Sequence, residues 1–175
     1  MAILIDVNVI PTVFCTKSLK HAEFEPVLKW ILEGKGLMVY GGSKYKEELG
    51  KLGKYLKIIR SLKSFKKAIE IDALEVDRYQ KIVEDKEDNL DFDDPHLIAI
   101  CAVSKCRIIC SEDLRSIKFV QNSKFYPKNF HIPKYFTSKR NRALLQEKYI
   151  DDSFKPLLAL NKDKKITIME VLSSN

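Results

Sequence analysis

Apolar residues along this chain follow two rhythms. Short unbroken runs, Ala2-Ile3-Leu4-Ile5, Leu37-Met38-Val39-Tyr40 and the β-branched Ile108-Ile109 within Arg107 to Cys110, are too brief for helices. They end against Asp6, Gly41-Gly42 and Ser111-Glu112-Asp113, as strands buried on both faces of a parallel sheet do. Between them the spacing turns helical. Phe24, Val27, Leu28, Ile31 and Leu32 mark a helix within Leu19 to Glu33, stopped by Gly34 and Gly36. After Ser43, a predicted N-cap, Leu49, Leu52, Leu56 and Ile59 share one side of a helical wheel. Leu74, Val76, Tyr79, Ile82 and Val83 line a third helix across Ala73 to Glu87, and a fourth opens on Asp93-Asp94-Pro95.

Further on, Leu114 to Val120 reads as a short helical patch. Residues 121 to 137, with Pro127 and Pro133, read as loop plus a last strand, and residues 140 to 150 as helical. Ile166 to Leu172 fits either an edge strand or a docked helix. Alternation of short apolar strands with helices predicts an α/β fold, a three-layer α/β/α arrangement with a mainly parallel central sheet. Residues 1–150 are expected to form the main domain, and 151–175 a C-terminal appendage or a further part of that domain. No apolar run approaches the ~20 residues of a membrane span, and the N-terminus lacks a secretory signal pattern, so the expected location is the cytoplasm.

Charge adds a partner class. The 175 residues carry a formal charge of +7, which suits a polyanion. The charge is laid down in blocks. Lys44, Lys46, Lys51, Lys54, Lys57, Arg60, Lys63, Lys66 and Lys67 share a stretch whose only acids are Glu47 and Glu48. A second basic stretch holds Lys124, Lys128, Lys134, Lys139, Arg140, Arg142 and Lys148, and residues 72 to 94 carry ten acids. The four cysteines show no C-x-x-C pair and the three histidines are scattered, so zinc-type spacing is missing.

The acids can then be placed on the expected sheet. Asp6 follows the first strand, Glu48 lies early in the helix after the second, Asp94 starts a helix, and Asp113 follows the strand Arg107 to Cys110. Crossover helices of a parallel sheet begin at its carboxyl edge, so all four belong to that edge. On the wheel Glu48 borders the apolar face while Glu47 sides with the lysines, and Pro95 favours Asp94 over Asp91 and Asp93 as the residue just outside its helix. Taken singly, each acid has an ordinary reading as a cap or an ion-pair partner. Four carboxylates together repel one another unless a hard cation joins them, and oxygen donors suit Mg²⁺ or Mn²⁺. Such a site hydrolyses phosphodiesters.

These residues resemble the PIN-domain ribonucleases, a family that includes toxins of toxin–antitoxin pairs and RNA-processing nucleases. The likeness spans about residues 2 to 136. It is carried by Ile3-Leu4-Ile5-Asp6-Val7-Asn8, by Asp94-Pro95-His96-Leu97-Ile98-Ala99 leading into Ile108-Ile109-Cys110-Ser111-Glu112-Asp113, and more weakly by Ser43 to Leu49. The resemblance implies that Asp6, Glu48, Asp94 and Asp113 form the acidic Mg²⁺/Mn²⁺ site, with Asn8 and Ser111 as supporting polar residues. It further implies an antitoxin protein as a partner if the chain is a toxin, and it allows a homodimer. The stretch from Lys54 to Asp93 is longer and more charged than in the compact toxins, and the tail from Asp151 has no counterpart.

The resulting expectation is a metal-dependent endoribonuclease acting on single-stranded RNA, its phosphates held by lysines such as Lys44, Lys46, Lys51 and Lys54. The alternative is a PIN-like module that binds nucleic acid or a partner without turnover. A phosphatase using Asp6 as nucleophile lacks its second acid, since position 8 is Asn.

Overall fold

A computed structural model describes residues 2–89, 91–147, 152–154 and 158–173. Five strands, β1 (Ala2–Ile5), β2 (Leu37–Gly41), β3 (Ala68–Ile71), β4 (Ile108–Cys110) and β5 (Lys134–Phe136), form one sheet in the order β3-β2-β1-β4-β5. Every neighbouring pair is parallel. β1 lies at the centre, which is why all four of its residues are apolar and buried. The chain leaves β1 for β2 on one side and later returns to β4 on the other. This reversal places a switch point between β1 and β4, where the carboxyl ends of two strands part and leave a crevice.

Helices cover both faces. α3 (Ser43–Lys51), α5 (Ala73–Glu84) and α6 (Pro95–Ser104) pack together on one, and α1 (Ile10–Phe14), α2 (His21–Leu32) and α4 (Tyr55–Ser64) on the other. A short helix, α7 (Ile117–Val120), follows β4. The architecture is therefore the three-layer α/β/α fold that the alternating pattern predicts. α6 is apolar nearly all round and buries eight residues, from Pro95 to Cys101 and Ser104, because α5 covers the side turned away from the sheet. Among the described residues no helix is long and apolar enough to cross a membrane.

Three local readings change, and the alternatives left open for the tail resolve in favour of a helix. The helix expected to run through Leu52 and Ile59 is two helices, broken over Leu52-Gly53-Lys54, where two glycines within four residues weaken the helical backbone. Ser43 is the first residue of α3 rather than its cap; Gly42 caps it at φ 77°, and a Cβ there would meet Val76. The Ser43 hydroxyl instead donates to Asp77. β3 lies inside the stretch taken as a charged elaboration, its alternation concealed by Glu70 and by the short run. Residues 162–173 are a helix, α8, whose Ile168 and Leu172 are buried and which packs on α4. Lys139–Leu144 forms a 3-10 helix, whereas Lys148 and the expected 150/151 boundary fall outside the described residues.

Candidate metal centre

Asp6 leaves the carboxyl end of β1, and its backbone N–H donates to the Cys110 carbonyl at the end of β4, 2.9 Å away. It therefore sits at the switch point itself. Its side chain is buried and fixed through both oxygens: the Ser111 hydroxyl donates to Oδ2 at 2.7 Å and the Asn8 backbone N–H to Oδ1 at 3.2 Å. Burial pushes its pKa up, and these two hydrogen bonds work against that rise. Ser111 is fully buried and also accepts from the Asp113 N–H at 3.0 Å, so one hydroxyl ties the ends of β1 and β4 together. Asn8 contributes only its backbone, and the residue is exposed.

Asp94 precedes α6 but does not cap it. Its carbonyl accepts from Leu97 N–H at 3.1 Å, while its carboxylate takes no capping bond. Pro95 removes one of the N–H groups that would otherwise compete for that carboxylate. Burial, followed by the charges of Asp6, Asp93, Glu48 and Asp113, pushes the Asp94 pKa up to about 7. Of the four acids singled out in the sequence, Asp6, Glu48 and Asp113 each oppose the Asp94 charge, but only Asp113 brings an oxygen within 4.8 Å of Asp94 in the cluster they share with Asp93.

Oxygen atoms of Asp93, Asp94 and Asp113 lie within 4.8 Å of one another. Asp93, set aside by the argument from Pro95, belongs to this group; Asp91 is largely exposed and faces Lys118 at 3.6 Å. Asp113 is not a free ligand. Arg115 donates to Oδ1 through Nε at 3.1 Å and to Oδ2 through Nη2 at 3.2 Å, and this pairing holds the carboxyl below its ordinary value. Glu48 points inward as the wheel requires, with Lys44 at 3.4 Å on one oxygen and His96 Nε2 at 3.5 Å from the other.

His96 and Arg115 are the neighbours that sequence reasoning missed. His96 is buried on α6, burial pushes its pKa down to about 4, and its Nδ1 has no hydrogen-bond partner. It is therefore a neutral ring at neutral pH. No metal-ligand spacing marked it, because its neighbour Glu48 lies on another helix. The lysines assigned to RNA are mostly engaged: Lys46 pairs with Glu70 at 3.2 Å, Lys51 with Glu47 at 2.9 Å, and Lys54 lies over the Tyr55 ring at 4.9 Å.

A search of protein-family models, of curated proteins and of solved structures finds no match to the chain. Fitness for a cation therefore rests on the donor set. Asp93, Asp94 and Asp113 offer hard oxygen atoms within 4.8 Å of one another, and Asp6 and Glu48 add charge beside them. Two ligands at about 2.1 Å from one Mg²⁺ are at most about 4.2 Å apart, so chelation would need both a small inward shift of these side chains and release of Asp113 from Arg115. Oxygen donors without a thiolate suit Mg²⁺ or Mn²⁺ over zinc or copper.

Proposed function

We propose that this chain is a Mg²⁺- or Mn²⁺-dependent endoribonuclease that hydrolyses phosphodiester bonds of single-stranded RNA. The observation that carries the reading is Asp94, a half-buried carboxylate without a capping bond, whose charge is opposed by four other acids near the switch point of a parallel sheet. Burying acids together is costly unless a cation shares them. Asp94, Asp113 and Asp93 would hold the ion, with Asp6 and Glu48 at its border. A bound divalent ion lowers the pKa of a water and offsets charge building on the phosphate.

The protein's own groups supply order and exclusion. Ser111 and the Asn8 N–H fix both Asp6 oxygens, so that carboxylate keeps one orientation as substrate arrives. Tyr45, fully buried, donates to the Ile5 carbonyl at 2.5 Å, anchoring α3 to the residue before Asp6. Arg115, mostly exposed beside Asp113, is placed to meet a phosphate oxygen. In hydrolysis, water adds to phosphorus and one ribose P–O bond breaks, leaving a phosphate monoester and a hydroxyl.

The expected result with labelled single-stranded RNA and Mn²⁺ is cleavage by the wild type and a loss of at least about a hundredfold in Asp6→Asn/Asp94→Asn. Equal cleavage by both proteins overturns the reading. The resemblance to PIN-domain nucleases supports, if the chain is a toxin, an antitoxin partner; a homodimer is compatible with it.

One observation favours a binding module without turnover instead. Arg115 already occupies both oxygens of Asp113, and Lys44 attends Glu48, so two acids have internal counter-ions. A crystal soaked in Mn²⁺ with no anomalous signal near Asp94 would decide for that module.

A further inference from the structure

The opposite end of the sheet carries a different chemistry. Arg107 stands immediately before β4, the segment 127–131 leads into β5, and Lys105 follows α6 in the left-handed conformation at φ 55°. Together they surround a cavity of about 320 Å³ on the amino edge of the sheet. The run from Arg107 to Ser111 separates this cavity from the acidic edge by about 13 Å, at ~3.3 Å per residue.

Four of its lining side chains, Lys105, Arg107, Lys128 and His131, are cationic or can become so, and no acid lines the cavity. Among the described residues none of the four has an ion pair or a side-chain hydrogen bond. Other described cations, among them Lys57, Arg60 and Lys66, also face no carboxylate within 4.0 Å, but these four gather around one cavity. Lys20, Lys29, Lys35, Lys44, Lys46, Lys51, Lys63, Lys118, Lys124, Lys139 and Arg115 all face a carboxylate within 4.0 Å. Cations gathered around a concavity without internal counter-ions repel one another, and an anion relieves that repulsion.

The cavity also has an apolar wall. Phe130 lines it and is held by a parallel stack on Tyr126, with ring centres 4.9 Å apart and planes 7° from each other. Pro127 and the partly buried Ala102 extend that wall. A purely inorganic anion needs no such surface, whereas a nucleotide brings a flat base together with its phosphate. The volume is at the lower end of small-ligand sites, suited to one nucleotide.

We infer that this amino-edge cavity binds a nucleoside monophosphate unit, its phosphate held by Lys105, Arg107, Lys128 and His131 and its base laid on the Phe130–Pro127 wall. The unit is either a free nucleotide or the 5′-phosphorylated end of an RNA chain. The site needs no metal and stands independently of the acidic edge.

Titration calorimetry of the full chain in EDTA tests it, with AMP, inorganic phosphate, and a short single-stranded RNA bearing either a 5′-phosphate or a 5′-hydroxyl. AMP is expected to bind, and Arg107→Gln/Lys128→Glu to weaken it about tenfold or more. Circular dichroism checks that this variant is folded, and Lys128→Glu alone, at an exposed position, serves if it is not. Tighter binding of the 5′-phosphorylated RNA than of AMP, lost with the 5′-hydroxyl, assigns the site to a chain end. Equal binding of AMP and of the phosphorylated RNA assigns it to free nucleotide. The inference is overturned if AMP and the phosphorylated RNA both fail to bind, if inorganic phosphate binds as well as AMP, or if the folded variant binds like the wild type. Because EDTA is present and no turnover is read, a failed cleavage assay leaves this result untouched.

Discussion

The two ends of the central sheet bury opposite charges and satisfy them differently. At the carboxyl end Asp6 is held by the Ser111 hydroxyl and the Asn8 N–H, and further acids crowd around it. At the amino end Lys67 is buried with its Nζ donating to the carbonyls of Gly34 and Gly36 at 2.9 and 2.8 Å. Nearby, on the β4–β5 side, stand the four unpaired basic groups of the second cavity. The lesson is that charge density in the sequence does not locate a binding surface. In the basic stretch 44–67, Lys44, Lys46, Lys51 and Lys63 are taken up by Glu47, Glu48 and Glu70, whereas the cations that share the amino-edge cavity come from two distant segments that look unremarkable one by one.

The largest effect that could break the comparison is a response to metal at one end only. Mn²⁺ at about a hundred times its dissociation constant should stabilise the protein by about 2.7 kcal/mol. That corresponds to a rise of at least about 5 °C in melting temperature. Scanning calorimetry of wild type and Asp94→Asn measures it. A rise of equal size in both would place the ion away from the acidic edge.

A pH series in EDTA should carry contributions of opposite sign, with His96, lowered from 6.5 to about 4, opposing Asp94 across the overlapping range. Asp94, raised from 3.8 to about 7, keeps a proton in the folded chain that the unfolded chain has lost, so its contribution makes stability fall as pH rises between those values. Lys67, lowered from 10.5 to about 8 by burial, releases its proton on folding, so stability rises with pH between about 8 and 10.5. Urea unfolding should show Asp94→Asn making stability rise more steeply with pH between about 4 and 7, and Lys67→Met flattening the rise between about 8 and 10.5. A slope that survives its own substitution belongs to another group.

A smaller effect sharpens the carboxyl end. Ser111→Ala removes the donor to Asp6 and the acceptor for the Asp113 N–H, and should cost about 1–3 kcal/mol in urea unfolding. Smallest of all is Lys51→Ala, whose partner Glu47 is exposed; a change resolvable in the same measurement would contradict a solvent-screened pair.

Much of the layered fold was legible because local pattern and tertiary environment agree. β1, β2 and β4 are unbroken apolar runs since both faces of each are covered, and α2 and α5 show the periodicity of helices with one wet side. β3 escaped notice because it lies at the sheet's edge, where Glu70 can point to solvent and pair with Lys46 and Lys63. The helix break at Leu52 to Lys54 was hidden by apolar spacing that continues across it, although Gly50 and Gly53 marked the weakness.

For the candidate site, sequence alone put Asp6, Glu48, Asp94 and Asp113 at the carboxyl edge, since strand ends and helix starts of a parallel sheet share that edge by topology, but it set Asp93 aside. It also determined that Glu48 rather than Glu47 turns inward, because an amphipathic helix fixes direction by angle. Only the tertiary structure decided how those acids are occupied. Arg115 folds back on Asp113, Asp93 joins Asp94, and a neutral His96 stands by Glu48. These depend on side-chain placement across separate elements, and a linear pattern carries no distance between elements. The same reason applies at the amino edge, where Lys105 and Arg107 meet Lys128 and His131 only because β4 and β5 lie side by side.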